Sequence, residues 1–341
     1  MATKSSDIEF SSRQADLPVP LLGVGYYRLH FNCMECLRLP KYAGSAWRGL
    51  FGHALKKAVC VTHEPVCEAC LLYRNCAYPY IFETPLPTDS DRMKRYTAVP
   101  HPFVVYPQMQ ADRTIEKGEA MLLELAVFGR ANAYLPYIIH AFNIAGKHGI
   151  GKQQGKFRML RVEQDTSGNG NWETIYEPDS GLSQKPGFYP LIPECSELVK
   201  ITLQSPLRLK RDGRLVGAKE FSFHDLYRNL LRRIAMLTYF HEKSVFEPDF
   251  ATLAEASRNI NIIDKDLHWF DWTRYSSRQK KTMQMGGLTG EFTVRGESLP
   301  DFWPLLWLGQ WTHAGKGASM GLGRYRLQDA ASLPDRTNSN D

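Results

Sequence analysis

His313-Ala314-Gly315-Lys316-Gly317-Ala318-Ser319-Met320-Gly321-Leu322-Gly323-Arg324-Tyr325-Arg326-Leu327 sets four glycines among a histidine and a lysine and then enters a basic strand. With no Cβ at those positions the backbone can approach a phosphate chain closely, so the stretch reads as a nucleic-acid loop. Alone, it is equally a glycine-rich turn between a helix and a last strand. It is not alone. Gly146-Lys147-His148-Gly149-Ile150-Gly151-Lys152-Gln153-Gln154-Gly155-Lys156-Phe157-Arg158-Met159-Leu160 follows an apolar helical segment and precedes a basic, alternating strand in the same way.

The recurrence points to an internal duplication. Before the first loop, Ala120 to Phe128 reads as a buried strand and Ala131 to Ala145 as a helix with Leu135, Ile138, Ile139 and Phe142 at helical spacing. Before the second, Leu288 to Arg295 alternates like a strand and Phe302 to Trp311 is a short apolar helix. Each half opens with a strand and a helix: Tyr26 to Phe31 with Gly44 to Val59, and Leu198 to Leu203 with Phe223 to His241. The expected fold is α+β, two tandem ferredoxin-like (RRM-like) βαββαβ domains. Residues 19–190 form the first and 191–330 the second, with disordered ends at 1–18 and 331–341. The seam falls near Lys185 to Glu197, which holds Pro186, Pro190 and Pro193.

A chain of 341 residues with 43% apolar content suits two modest domains. It has no apolar run of roughly 20 residues and a polar N-terminus, which argues against a membrane span or secretory signal and for a cytoplasmic location. The formal charge of +6 is mild, but its distribution is uneven. Eight basic residues (Arg208, Lys210, Arg211, Arg214, Lys219, Arg228, Arg232, Arg233) stand against three acids between Arg208 and Arg233. Arg274, Arg278, Lys280 and Lys281 lie beside Trp269, Phe270, Trp272 and Tyr275. Cations interleaved with rings suit RNA, whose phosphates meet the charges and whose unpaired bases stack; a solvated helix face plus core aromatics is the plainer alternative.

Six of the seven cysteines fall between positions 33 and 76, four of them as Cys60-x6-Cys67-x2-Cys70-x5-Cys76. In a cytoplasmic protein that clustering favours thiolates on a structural zinc, forming a cysteine-rich insertion in the first domain. Cys33-x2-Cys36 or His63 are alternative ligands, and an iron–sulfur cluster or free buried thiols are alternative states.

Gly44-Ser45-Ala46-Trp47-Arg48-Gly49, the cysteine cluster, Trp272-Thr273-Arg274-Tyr275-Ser276-Ser277-Arg278-Gln279 before Gly286-Gly287, and the terminal loop together resemble the CRISPR repeat-processing endoribonucleases of the RAMP superfamily. The resemblance implies binding of a CRISPR repeat RNA and one cut in it, yielding a guide RNA for an interference complex with other subunits. Gly315, Gly317, Gly321 and Gly323 fit the family's glycine-rich loop, with Lys316 available to the RNA backbone. The implied chemistry is metal-independent: a 2′-hydroxyl attacks the adjacent phosphorus and leaves a 2′,3′-cyclic phosphate and a 5′-hydroxyl.

That reaction needs a base, an acid and a cation, and histidine suits the first two. His53 ranks first, because a wheel for Gly44 to Val59 places it with Lys56, Lys57, Gly49 and Gly52 opposite an apolar face. His313, at the start of the loop, is second, and His30 in the first strand is third. Tyr42 and Lys41 could orient the 2′-hydroxyl, and Arg48 could touch RNA or serve structure. The other reading is a catalytically silent RAMP subunit that holds guide RNA. A zinc-dependent DNA-binding factor fits less well, since no helix-turn-helix or tandem finger spacing appears.

Overall fold

Val-Gly-Tyr-Tyr-Arg-Leu-His-Phe-Asn-Cys alternates with period two, and strand β1 (Val24–Cys33) buries Tyr27, Leu29, Phe31 and Cys33 while Tyr26, Arg28 and His30 face the other side. The computed structural model describes residues 19–85, 99–107, 114–242, 244, 246–276 and 281–330. The expected terminal segments 1–18 and 331–341 lie outside them.

In the N-terminal half β1 is followed by β2 (Leu37–Arg38), α1 (Gly44–Val59), α2 (Ala77–Phe82), β3 (Phe103–Pro107), β4 (Thr114–Ile115), β5 (Ala120–Phe128), α3 (Leu135–His148), β6 (Phe157–Asp165), β7 (Trp172–Glu177) and β8 (Gly181–Leu182). The main sheet runs β3-β5-β1-β6-β7-β8, all antiparallel, with β2 and β4 paired separately. Helices α1 and α3 cover the Tyr27–Phe31 face. Phe31 stacks on Trp47 at 5.4 Å and Phe51 on Phe142 at 5.1 Å. The helix expected from Ala131 starts instead at Leu135, after a 3₁₀ turn at Gly129–Tyr134, because Pro136 suits a first helical turn, whose amides have no helical partner. Gly146 belongs to α3, where its bare Cα faces the Phe157 carbonyl, so the first glycine loop begins only at Gly149.

The C-terminal half runs β9 (Leu198–Leu207), β10 (Lys210–Arg211), β11 (Arg214–Leu215), α4 (Phe223–His241), α5 (Phe250–Ala256), β12 (Asn261–Ser276), β13 (Lys281–Arg295), α6 (Leu299–Thr312) and β14 (Tyr325–Asp329). Its antiparallel sheet is ordered β12-β13-β9-β14. Counting the strands around each helix pair, both halves place them as second, third, first, fourth. Helix α4 begins at a capping box in which Ser222 and Asp225 satisfy each other's backbone amides.

Three features join the halves. Leu22, Val24, Val104, Ala126 and Phe128 share one core with β9, α4 and α6. Residues 186–193 are stitched to both sides: Val24 and Phe188 exchange backbone bonds at 2.8 and 2.9 Å, and Trp303 Nε1 donates to the Pro193 carbonyl at 2.7 Å. Lastly, β12 and β13 outrun the sheet, since β13 meets β9 only from Leu288 onward; the projecting hairpin carries Trp272 and Met285 onto Tyr42 before α1. Among the described residues no helix is long and apolar enough to cross a membrane.

Candidate nucleic-acid interface

The first turn of α1, the glycine-rich loop and the β12–β13 hairpin meet at one place. Tyr42 is the hinge of this contact: its hydroxyl donates to the Met320 carbonyl at 2.6 Å, and its ring lies 5.5 Å from that of Trp272. Gly44 lets the helix start against the same carbonyl, where a Cβ would collide. Arg48, one turn on, donates from Nε to Ser319 Oγ at 3.0 Å and places Nη2 2.8 Å from His101 Nε2. Lys41 lies 4.4 Å from the centre of the Phe270 ring.

The glycines of the loop serve its own folding. Gly315, Gly317, Gly321 and Gly323 all have left-handed backbones, with φ of 80°, 84°, 84° and 71°. Many of the loop's amides are spent internally: Gly315 on Asn229 Oδ1, Lys316 on the Arg208 carbonyl, Ala314 on the Gly323 carbonyl, and Gly323 on the Pro206 carbonyl. The expected open cradle of glycines is therefore a closed knot bonded mainly to the residues around it. What it offers outward is the exposed Lys316 side chain.

Of the four candidate catalytic groups, three make side-chain contacts within the fold. His313 is 3% exposed, contrary to the expectation of an imidazole presented by the loop. It caps α6 with φ of 57°, its Nδ1 lies 3.3 Å from the Leu322 carbonyl, and its ring meets Tyr106 edge-on. Burial, aided by Arg324 and Arg233, holds its pKa well below the usual histidine range. Tyr42 is buried with its hydroxyl on the Met320 carbonyl, and burial raises its pKa well above that of free tyrosine. His30 sits on the sheet face with Nε2 2.7 Å from Glu163, which also holds Arg161.

His53 remains. It is exposed on α1 and makes no hydrogen bond or ion pair among the described residues. Gly49, one turn earlier on the same side, has open space where a Cβ would stand. The rest of the expected face is divided. Gly52 is covered by the Phe82 ring, Lys56 turns toward the cysteine segment and the Pro65 carbonyl, and Lys57 Nζ sits 3.0 Å from His148 Nε2 on α3. His53 is five positions beyond Arg48, so it lies about 8 Å along the axis from the contact with the loop.

The basic clusters separate in the same way. Arg228 and Arg232 are exposed on α4, on the helix that sends Asn229 to the loop. Arg233 points inward, donates to the Thr312 carbonyl at 2.8 Å, and has its pKa lowered to about 10 by burial. Arg208 donates to the Gly286 carbonyl and so ties the hairpin to the loop. Arg274 and Lys281 lie in the hairpin strands, whereas Arg278 and Lys280 fall outside the described residues. Trp272, read as a base-stacking ring, is buried; Trp269 is 39% exposed and still offers one.

Cys60, Cys67, Cys70 and Cys76 line one small pocket between α1 and α2. Among the described residues no three histidine, cysteine or carboxylate side chains stand close enough to hold an ion.

Sequence reasoning missed the polar residues between the halves. Glu124 on β5 is 6% exposed and binds Arg324, the Tyr26 hydroxyl (2.6 Å) and Arg28 Nε (3.3 Å). His101, between two prolines, is enclosed beside Arg48; burial first and then Arg48 lower its pKa to about 3. No local pattern marks either residue.

Comparison with known proteins agrees with this architecture. Residues 201–325 match the family model of the CRISPR-associated endoribonuclease Cas6, and residues 21–187 match the N-terminal domain model AF_1859_N. The Cas6 similarity thus lies in the C-terminal half. The two matches meet near the stitched segment, and the resemblance to CRISPR repeat-processing proteins read from the sequence is supported by the Cas6 match of the C-terminal half. An uncharacterized protein of Archaeoglobus fulgidus is 26% identical over 294 residues, 85% of this chain and 93% of its own. A Cas6 product complex superposes with a TM-score of 0.55 at 16% identity, over 90% of this chain and 99% of the Cas6 chain. Thermus thermophilus Cas6 gives 0.51 at 15% identity, with the same coverage. A partial Cas6-RT-Cas1–Cas2 complex gives 0.56 at 14% identity over 94% of this chain, which spans 48% of that longer one.

Proposed function

We propose that this protein binds CRISPR repeat RNA and cuts it once by attack of a 2′-hydroxyl on the adjacent phosphorus, with His53 as the group that moves a proton. The two halves are read as tandem ferredoxin-like units, and the RNA as lying where α1, the glycine-rich loop and the hairpin meet. The observation that carries this reading is the position of His53, exposed beside the open Gly49 on the helix whose first turn is locked to the loop bearing Lys316. The 2′-oxygen forms a bond to phosphorus as the 5′-oxygen leaves. His53 either takes the 2′-proton or gives one to the 5′-oxygen, solvent water carrying the other transfer, and Lys316 or Lys41 offsets charge on the pentavalent phosphorus. No step in this scheme calls on a divalent ion. The guide-bearing product is retained for a CRISPR complex.

One observation favours a second reading. His313, His30 and Tyr42 all make contacts within the fold, and among the described residues only His53 stands free on α1, so no second free imidazole pairs with it there as the other half of an acid–base couple. The experiment is incubation of the full chain with its neighbouring repeat RNA in EDTA. One cut with a 2′,3′-cyclic phosphate end supports the enzyme; RNA that is bound and never cut supports the silent subunit.

A further inference from the structure

The segment Cys60–Cys76 joins α1 to α2, and none of its 17 residues is buried. Its apolar side chains point outward: Val61 is 73% exposed, Val66 55% and Leu71 86%. Such a segment has no hydrophobic burial of its own to offset the entropy lost in ordering it. The four cysteines turn inward. Cys60 ends α1, Cys67 and Cys70 flank a 3₁₀ turn closed by a Cys70 N–H bond to the Cys67 carbonyl at 3.0 Å, and Cys76 precedes α2. All four line the same pocket, walled by Lys56, Val59, Tyr78 and Pro79 with the Glu64 carboxylate also lining it. All four are free thiols.

Polar groups already face one of these sulfurs: the Leu72 amide donates to Cys70 Sγ at 3.4 Å, and the Thr62 hydroxyl lies 3.2 Å from it.

We propose that Cys60, Cys67, Cys70 and Cys76 bind one tetrahedral divalent ion of the zinc class, which staples this segment to the ends of α1 and α2. The four sulfurs do not stand close enough to hold an ion as they are, so the thiols, each on a rotatable side chain, close onto it by turning into the pocket they share. Four thiols release four protons and one +2 ion enters, leaving a centre of charge −2 that Lys56 partly offsets. Sulfur is preferred to the Glu64 oxygen for this ion. The ion acts on the segment following His53 and takes no part in RNA cleavage, so this inference stands apart from the catalytic reading.

The test uses the full chain, purified without chelator. Elemental analysis should find about one zinc per chain, and cobalt(II) added to zinc-stripped protein should give the intense visible absorption of tetrahedral thiolate ligation. Cys67→Ser and Cys76→Ser should lose the metal, while Cys195→Ser keeps it. Should the serine variants fail to fold, an organomercurial added to wild type should release zinc in step with modification of about four thiols. Protease cutting within the segment should then rise about 10-fold or more. Metal below about 0.1 per chain with a colourless cobalt titration, a brown iron–sulfur chromophore, or disulfides among these cysteines would each overturn the proposal.

Discussion

Replacing Glu124 by glutamine removes the one carboxylate that holds Arg324, Tyr26 and Arg28 together between the two halves. Arg324 is left with its guanidinium enclosed and without a counter-charge. Losing one member of a buried pair costs about 3–5 kcal/mol. The lower end, about 3 kcal/mol, applies here because the substituted amide would still accept from Tyr26 and because Arg28 is one-third exposed. At a urea slope of about 3 kcal/mol/M, the unfolding midpoint should fall by about 1 M. The deficit should also depend on pH. Burial works against charge on Glu124, yet Arg324, the Tyr26 hydroxyl and Arg28 outweigh it and hold the pKa below the usual carboxylate value. A depressed folded pKa gives stability that is present above the unfolded value near 4.3 and lost as pH falls through the folded one. Wild type and Glu124→Gln should therefore differ most at neutral pH and converge in acid. Urea unfolding followed by circular dichroism at pH 7 and below pH 4 measures both. A midpoint shift under about 0.2 M at pH 7, or a gap that persists unchanged in acid, would refute the reasoning.

Other substitutions probe the loop and the RNA path. Gly323→Ala places a Cβ on the Ala314 carbonyl at a left-handed φ, and should destabilise the chain by at least about 1 kcal/mol in the same urea assay. His313→Gln should lower the melting temperature while leaving the cleavage rate of the folded fraction within a few-fold of wild type, because the buried imidazole is a helix cap. Lys316→Ala should weaken RNA binding and reduce the salt slope by about 0.7 to 0.9 per phosphate contact, as read from binding isotherms at several salt concentrations.

The regular elements were legible because apolar spacing reflects which face is buried. Helices α1 and α4 keep the limits that their residue pattern suggested, and each half has its strand before and after them. The glycine-rich loop was legible as a loop, but not as one whose amides bind Arg208, Pro206 and Asn229, since those partners lie far away in sequence. The same distance hid the Glu124–Arg324 pair, 200 positions apart, and made Arg324 look like one more basic strand residue. Trp272 fitted a stacking ring by composition; only the projecting hairpin shows that it buries against Tyr42. For the histidines, sequence could rank residues by company but not by burial. That is why His313, between a helix end and a glycine run, looked presented when it is enclosed.

Single-turnover cleavage of repeat RNA by His53→Ala, with binding measured alongside, tests the central claim most directly. Loss of one general acid or base should slow cleavage by roughly 10²-fold or more while affinity stays within a few-fold of wild type. A variant that binds and cuts at the wild-type rate would contradict the assignment of His53, and with it the site drawn at the junction of α1, the loop and the hairpin.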